Sequence, residues 1–153
     1  YLPTEEEKKD PSENVVVELG RIGLTTEVSA GKHVFLADEP VDVGGNDLGP
    51  PPYQLLNASL GTCTAMTLKM YADRKGWPLE KVEVELSHDK IHMNDSSHPE
   101  DRGSKVDVFQ RKLKIEGELD SEQREKLLTI ANKCPVHRTL TEGEVRVETE
   151  LKE

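Results

Sequence analysis

A single α+β domain is the fold this sequence predicts, and three observations predict it. At 153 residues the chain suits one domain that is large enough to bury a core. Only 34% of it is hydrophobic against 33% charged, so that core must come from concentrated segments. The densest runs from about residue 55 to 72, a length suited to a buried helix. The remaining apolar residues fall in short alternating runs, the period of half-buried strands.

Taken in chain order, residues 1–13 read as a flexible tail. They are polar and acidic, with no apolar periodicity, which leaves 14–153 as the domain. Val15–Leu19 is a strand, and Leu24–Ser29 a second one after the Gly20-Arg21-Ile22-Gly23 bend. Ala30-Gly31-Lys32 turns the chain tightly into a third, His33–Ala37, completing a meander. The loop from Asp38 to Pro52 is rich in Gly and Pro. A long helix then runs from Pro52, a residue suited to the first helical position, to Lys75, with Gly76 as its stop. Its middle is apolar or small nearly all round, which predicts a central helix covered on every side. Val82–Leu86 alternates as a strand, 94–104 is a polar hairpin tip, and Val106–Leu119 returns with Phe109, Leu113, Ile115 and Leu119 near period two. Asp120-Ser121-Glu122-Gln123 is a capping-box start for a second helix, Ser121–Asn132. Val145–Leu151 closes the chain as an amphipathic strand.

Composition also bounds function. A net charge of −10 disfavours nucleic acid and anionic membrane surfaces, both of which need a basic footprint. No apolar stretch approaches the roughly 20 residues that span a bilayer. Residues 1–14 contain no signal-peptide core, and two cysteines do not make a secreted disulfide framework. A reduced, cytoplasmic setting is therefore expected. His88 and His92 sit four apart in strand context, and neither CxxC nor HExxH occurs, so no metal site is expected. No cofactor is expected either. Ser59 and Thr62 lack a GxSxG context, which gives serine-nucleophile chemistry no support.

What remains is the two thiols. Cys63 lies inside the long helix and Cys134 immediately before Pro135 at the end of the second, so the only cysteines occupy the two main helices. A free cysteine is often just a small buried hydrophobe; as a nucleophile it needs its thiolate stabilised. Cys63 is about three turns into its helix, too deep for the helix N-terminus to help, so a cation must come from elsewhere. Arg21, a lone arginine at a glycine-flanked bend, is the first candidate, followed by His33, His137 and Arg138. Pro135 disfavours helical backbone at Cys134, and a cysteine at a broken helix end can approach a partner more readily than one in mid-helix.

Several stretches resemble the OsmC/Ohr family of thiol-dependent proteins. They are Gly49-Pro50-Pro51-Pro52-Tyr53-Gln54-Leu55-Leu56, Leu60-Gly61-Thr62-Cys63-Thr64, Tyr71-Ala72-Asp73-Arg74-Lys75-Gly76-Trp77-Pro78 and Cys134-Pro135-Val136-His137-Arg138-Thr139-Leu140. The stretch His33–Pro40 fits a broader OsmC-like branch better than the organic hydroperoxide resistance branch. The resemblance covers nearly the whole chain from Asn14 on.

This resemblance implies an intertwined homodimer, with antiparallel sheets around two long central cysteine-bearing helices and sites at the subunit interface. It implies Cys63 as the peroxidatic cysteine, Cys134 as the resolving one and Arg21 as the arginine that holds the thiolate. The implied substrate is an organic or inorganic hydroperoxide, and the implied reductant a dithiol such as a lipoyl protein or a small thiol. Typical members carry a glutamate early in the cysteine helix that pairs with the arginine. Here Tyr53 and Gln54 stand there, leaving the role to Glu39 or to no residue. Two other functions therefore stand beside peroxide reduction: another thiol activity, on persulfide or acyl-thiol substrates, and a non-catalytic binding module.

Overall fold

The computed structural model describes residues 14–92 and 105–152; the expected tail at 1–13 and the hairpin tip at 94–104 fall outside them. The fold is α+β, with antiparallel sheets and three α-helices. It divides into two compact units, one reaching to Leu55 and the other starting at Leu56.

The first unit carries the expected meander. Strands β1 (Val15–Glu18), β2 (Thr26–Ala30) and β3 (His33–Ala37) pair antiparallel in the order β1-β2-β3. The Ala30↔His33 pairing closes a two-residue turn at Gly31-Lys32. After β3 the chain enters the Gly- and Pro-rich loop, and Asp38 organises it. One carboxylate oxygen accepts the Thr25 hydroxyl at 2.7 Å and the amides of Asn46 and Leu48 at 3.3 Å each, and the other accepts the Glu39 amide at 2.8 Å. These donors, the Thr25 hydroxyl above all, hold the Asp38 carboxyl below its ordinary range, against the opposing effect of burial. A short 3-10 turn at Val41–Val43 completes the loop.

Helix α1 spans Pro52–Lys75, the predicted limits. Gly76 ends it at φ +70°, where a Cβ would be strained; its amide returns to the Asp73 carbonyl and that of Trp77 to Ala72. The covering of the helix differs from expectation. Leu60, Gly61, Thr64, Leu68 and Ala72 form one buried stripe, while Met66 and Met70 are 64% and 71% exposed. A single chain buries one face of this helix and leaves another apolar face bare.

Strands β4 (Leu79–His92) and β5 (Lys105–Gly117) form a long antiparallel hairpin. Its inward positions alternate, with Val82, Val84, Leu86 and His88 opposite Ile115, Leu113, Arg111 and Phe109. Helix α2 (Ser121–Ala131) starts on the predicted capping box. The Asp120 side chain accepts the Gln123 amide at 2.7 Å, and Gln123 accepts the Asp120 amide at 2.9 Å. Leu68 and Ala72 of α1, Leu79 of β4, and Leu127, Ile130 and Ala131 of α2 make the core of the second unit. Gly61 sets how closely α1 approaches the hairpin, since a Cβ there would come within 2.7 Å of the Leu86 side chain.

Two elements depart from expectation. Pro135 ends α2 and also starts a third helix, α3 (Pro135–Thr141), from its N1 position. The C-terminal run Val145–Leu151 forms no strand and joins neither sheet among the described residues; Val147 and Leu151 are 87% and 96% exposed. Alternation reports which side chains a strand would bury, but a strand also needs a sheet edge to pair with. No described helix is long and apolar enough to cross a membrane.

Candidate functional site

The second unit brings the two cysteines together. Cys63 lies beside the buried stripe of α1 and is partly accessible, whereas Cys134 is fully buried, and both are free thiols. Because Pro135 holds Cys134 in extended backbone (φ −64°, ψ 139°), the residue serves as N-cap of α3, and its Sγ accepts the His137 amide at 3.3 Å. From α1, the Thr64 hydroxyl lies 3.7 Å from the same sulfur, and the Cys63 side chain hydrogen-bonds to it. Thr64 also reaches the Leu60 carbonyl at 2.7 Å. A hydroxyl has one hydrogen, so it donates to Leu60 when Cys134 is a thiol and can turn toward the sulfur when a thiolate forms.

The cation at this cluster is Arg111 of β5. Its Nη1 donates to the Thr64 hydroxyl at 2.9 Å and the Ala131 carbonyl at 3.2 Å, and its Nη2 to Asn132 Oδ1 at 2.9 Å and His137 Nδ1 at 3.2 Å. One guanidinium thus ties together β5, α1, the end of α2 and α3. An arginine can only donate, so Nδ1 of His137 must be the unprotonated nitrogen, and the imidazole is neutral with its hydrogen on Nε2. Burial, reinforced by the Arg111 charge and opposed by Glu142, accordingly holds His137 below its ordinary range. At Cys134, burial pushes the thiol up. The His137 amide, the Thr64 hydroxyl, Cys63 and the Arg111 charge together outweigh it, and the net shift is downward. The cluster can therefore hold a thiolate in a buried position next to a second, more accessible thiol.

Of the other expected site residues, Arg138 sits on α3 and pairs with Glu142 at 3.1 Å, and the rest lie in the first unit. Arg21 is exposed on the bend between β1 and β2, His33 opens β3, Glu39 follows the loop-organising Asp38, and Gln54 is exposed in the first turn of α1. Glu39 also lines a cavity of ≈ 180 Å³ with Leu19, Leu24, Ala37 and Pro52. Among the described residues, no three His, Cys, Asp or Glu side chains gather as metal ligands.

Comparison with known proteins agrees with the cysteine motifs. The OsmC-like protein family matches residues 44–150, a span that includes both cysteines. The chain belongs to this OsmC-like family. Its fold is that of several solved members. The OsmC-like protein of Mycoplasma pneumoniae superposes with a TM-score of 0.67 at 17% identity, over 88% of this chain and 90% of that one. The organic hydroperoxide resistance protein OsmC of Legionella pneumophila gives 0.60 at 21%, over 84% and 88%. The organic hydroperoxide resistance protein OhrB of Bacillus subtilis gives 0.58 at 18%, over 84% and 90%. No curated protein matches the sequence significantly.

Within this OsmC-like chain, the motifs direct attention to Arg21, and Arg111 belongs to none of them. Its signal is one of phase. Phe109, Leu113 and Ile115 alternate, and residue 111 falls on their face, so an obligatory cation occupies an inward position of an amphipathic strand. Such a charge requires partners inside the fold. Asn132, at the C-terminal end of α2, becomes recognisable as one of those partners only once the helix is placed against the hairpin.

Proposed function

We propose that this OsmC-like protein is a thiol-dependent peroxidase that reduces organic or inorganic hydroperoxides through a Cys63–Cys134 redox pair. The observation that carries this reading is the meeting of two free thiols from separate helices, one accessible and one buried among donors. The Cys63 thiolate attacks the peroxide O–O bond and takes the distal oxygen as sulfenic acid, and the alkoxide leaves as the alcohol after gaining a proton. The Cys134 thiolate then attacks the Cys63 sulfur and displaces hydroxide, which leaves an intramolecular disulfide. A dithiol, free or lipoyl-bound, returns two electrons and restores both thiols. In this reading Arg21 keeps the thiolate-holding role that the family resemblance implies, and the place of its glutamate partner falls to Glu39 or to no residue. The working form is a cytoplasmic homodimer in which a second copy covers the bare face of α1. The organic hydroperoxide resistance proteins among the structural relatives are consistent with this chemistry.

A thiol count after one equivalent of cumene hydroperoxide, with hydrogen peroxide and an untreated control alongside, tests the proposal. The expected result is loss of both thiols, with a Cys63–Cys134 disulfide by mass spectrometry and no turnover in Cys63→Ser. Survival of both thiols against both oxidants, or undiminished turnover in Cys63→Ser, overturns it. The second reading, a binding module on the same scaffold, is favoured by one observation: Tyr53 and Gln54 stand where typical members have a glutamate. It predicts thiols that survive both oxidants.

A further inference from the structure

Arg111 has no part in the reaction as proposed, yet its guanidinium joins four elements around Cys134. Its hydrogen-bond partners are a hydroxyl, a backbone carbonyl, an amide oxygen and a neutral imidazole. All four are uncharged, and among the described residues no carboxylate pairs with it. A partly buried cation without an anion is costly. A group beside it that can supply a negative charge is the Cys134 sulfur, which shares the Thr64 hydroxyl with Arg111 and feels its charge.

Resting on the redox-pair reading, we infer that Arg111 is a positioning residue that makes Cys134 the leaving thiolate, so that an incoming thiol reductant attacks Cys63. Exposure points the same way, since Cys134 is 0% exposed and Cys63 is partly accessible. The reductant thiolate forms a bond to the Cys63 Sγ, the Cys63–Cys134 bond breaks, and its electron pair departs on Cys134 Sγ. The second thiolate of the reductant then attacks the reductant-derived sulfur of this mixed disulfide. Cys63 leaves as a thiolate and takes a proton from water, and the reductant is released as its disulfide. Thiol–disulfide exchange is faster for the better leaving thiolate, which is the advantage the guanidinium confers. The groups acting on Cys134 are Arg111 from β5, Cys63 and Thr64 from α1, and His137 from α3, whose own charge state also feels Glu142.

The test begins by forming the disulfide with diamide, which needs no peroxide chemistry. The oxidised protein is mixed with 2-mercaptoethanol, quenched with N-ethylmaleimide in acid, and mapped by mass spectrometry. The expected product carries mercaptoethanol on Cys63 and maleimide on Cys134, in about tenfold excess over the reverse. In Arg111→Met the exchange slows about tenfold at every pH, because the pH profile follows the attacking mercaptoethanol and only the rate follows the leaving thiol; Arg111→Lys recovers part of the rate. Thiolate absorbance in Cys63→Ser gives a second readout that requires no disulfide. There, Arg111→Met raises the Cys134 titration midpoint and Arg111→Lys partly restores it. Adduct mainly on Cys134, or a Cys134 midpoint and an exchange rate unmoved by Arg111→Met, overturns the inference. A wild type that exchanges as expected but ignores peroxides overturns the proposed peroxidase and leaves the role of Arg111 standing.

Discussion

At the residue scale, the cluster around Cys134 ties stability to pH with a definite sign. Burial, and after it the Arg111 charge, lowers the folded-state value of His137 from the ordinary 6.5. Below 6.5 the unfolded chain therefore binds a proton that the folded chain refuses. The stabilisation is complete above 6.5 and is lost as pH falls through the folded value. Cys134 behaves in the same sense at higher pH. Its folded value lies below the ordinary 9.0, so its contribution is complete above 9.0 and is lost as pH falls through the folded value. Urea midpoints measured from about pH 5 to pH 9.5 should therefore rise with pH in both windows. His137→Asn, which keeps the backbone donor to Cys134, should flatten the acid window, and Cys134→Ser the alkaline one. A wild-type midpoint that falls between about pH 5 and 7 would show that His137 is not held neutral.

At the scale of elements, the second unit stands on the contact of α1 and α2 with the β4–β5 hairpin. Leu127 of α2 is fully buried in that core, beside Leu68 and Ala72. Leu127→Ala removes apolar contacts and leaves a cavity, which should cost about 3 kcal/mol in chemical denaturation. Leu128, one position on and 59% exposed, should tolerate alanine within about 0.5 kcal/mol. Equal losses at the two positions would refute this placement of α2. The same elements explain what the sequence made legible. The limits of α1 are carried locally, by Pro52 at its start and Gly76 at its end, and the capping box at Asp120 is equally local. The start of α3 was partly visible, since Pro135 predicts a break, but a proline marks an end and a beginning alike. Arg111 and Asn132 could not be paired from the sequence, because their meeting depends on how a strand and a helix end pack together. The strand expected at Val145–Leu151 depended on an edge in space that local alternation cannot report.

At the scale of the molecule, the chain leaves apolar surface uncovered in both units. Val15, Val16 and Val17 of β1 are all exposed, as are Met66 and Met70 on α1 and Val145 and Val147 near the C-terminus. Scattered single exposures are ordinary, but a whole valine strand and one face of the longest helix are not scattered, and such surfaces commonly mark interfaces. A second copy is the occupant that the family resemblance implies. The 153-residue chain should then scatter light at twice its 17.1 kDa mass and keep that mass on dilution into the low micromolar range. Met66 and Met70 are separated by about one helical turn, so Met66→Glu with Met70→Glu places two carboxylates in any surface that covers this face. If a second α1 lies there, the double variant should be monomeric, with the helical content of the second unit retained by circular dichroism because neither side chain enters its core. A wild type of 17.1 kDa at all concentrations would refute the dimer and leave the bare face of α1 without the partner assigned to it. A dimer that persists in the double variant would move the interface away from α1, toward β1 or the C-terminal run. Because Cys63 lies on α1, the first result would also place the site at a subunit boundary, with peroxide turnover dependent on protein concentration.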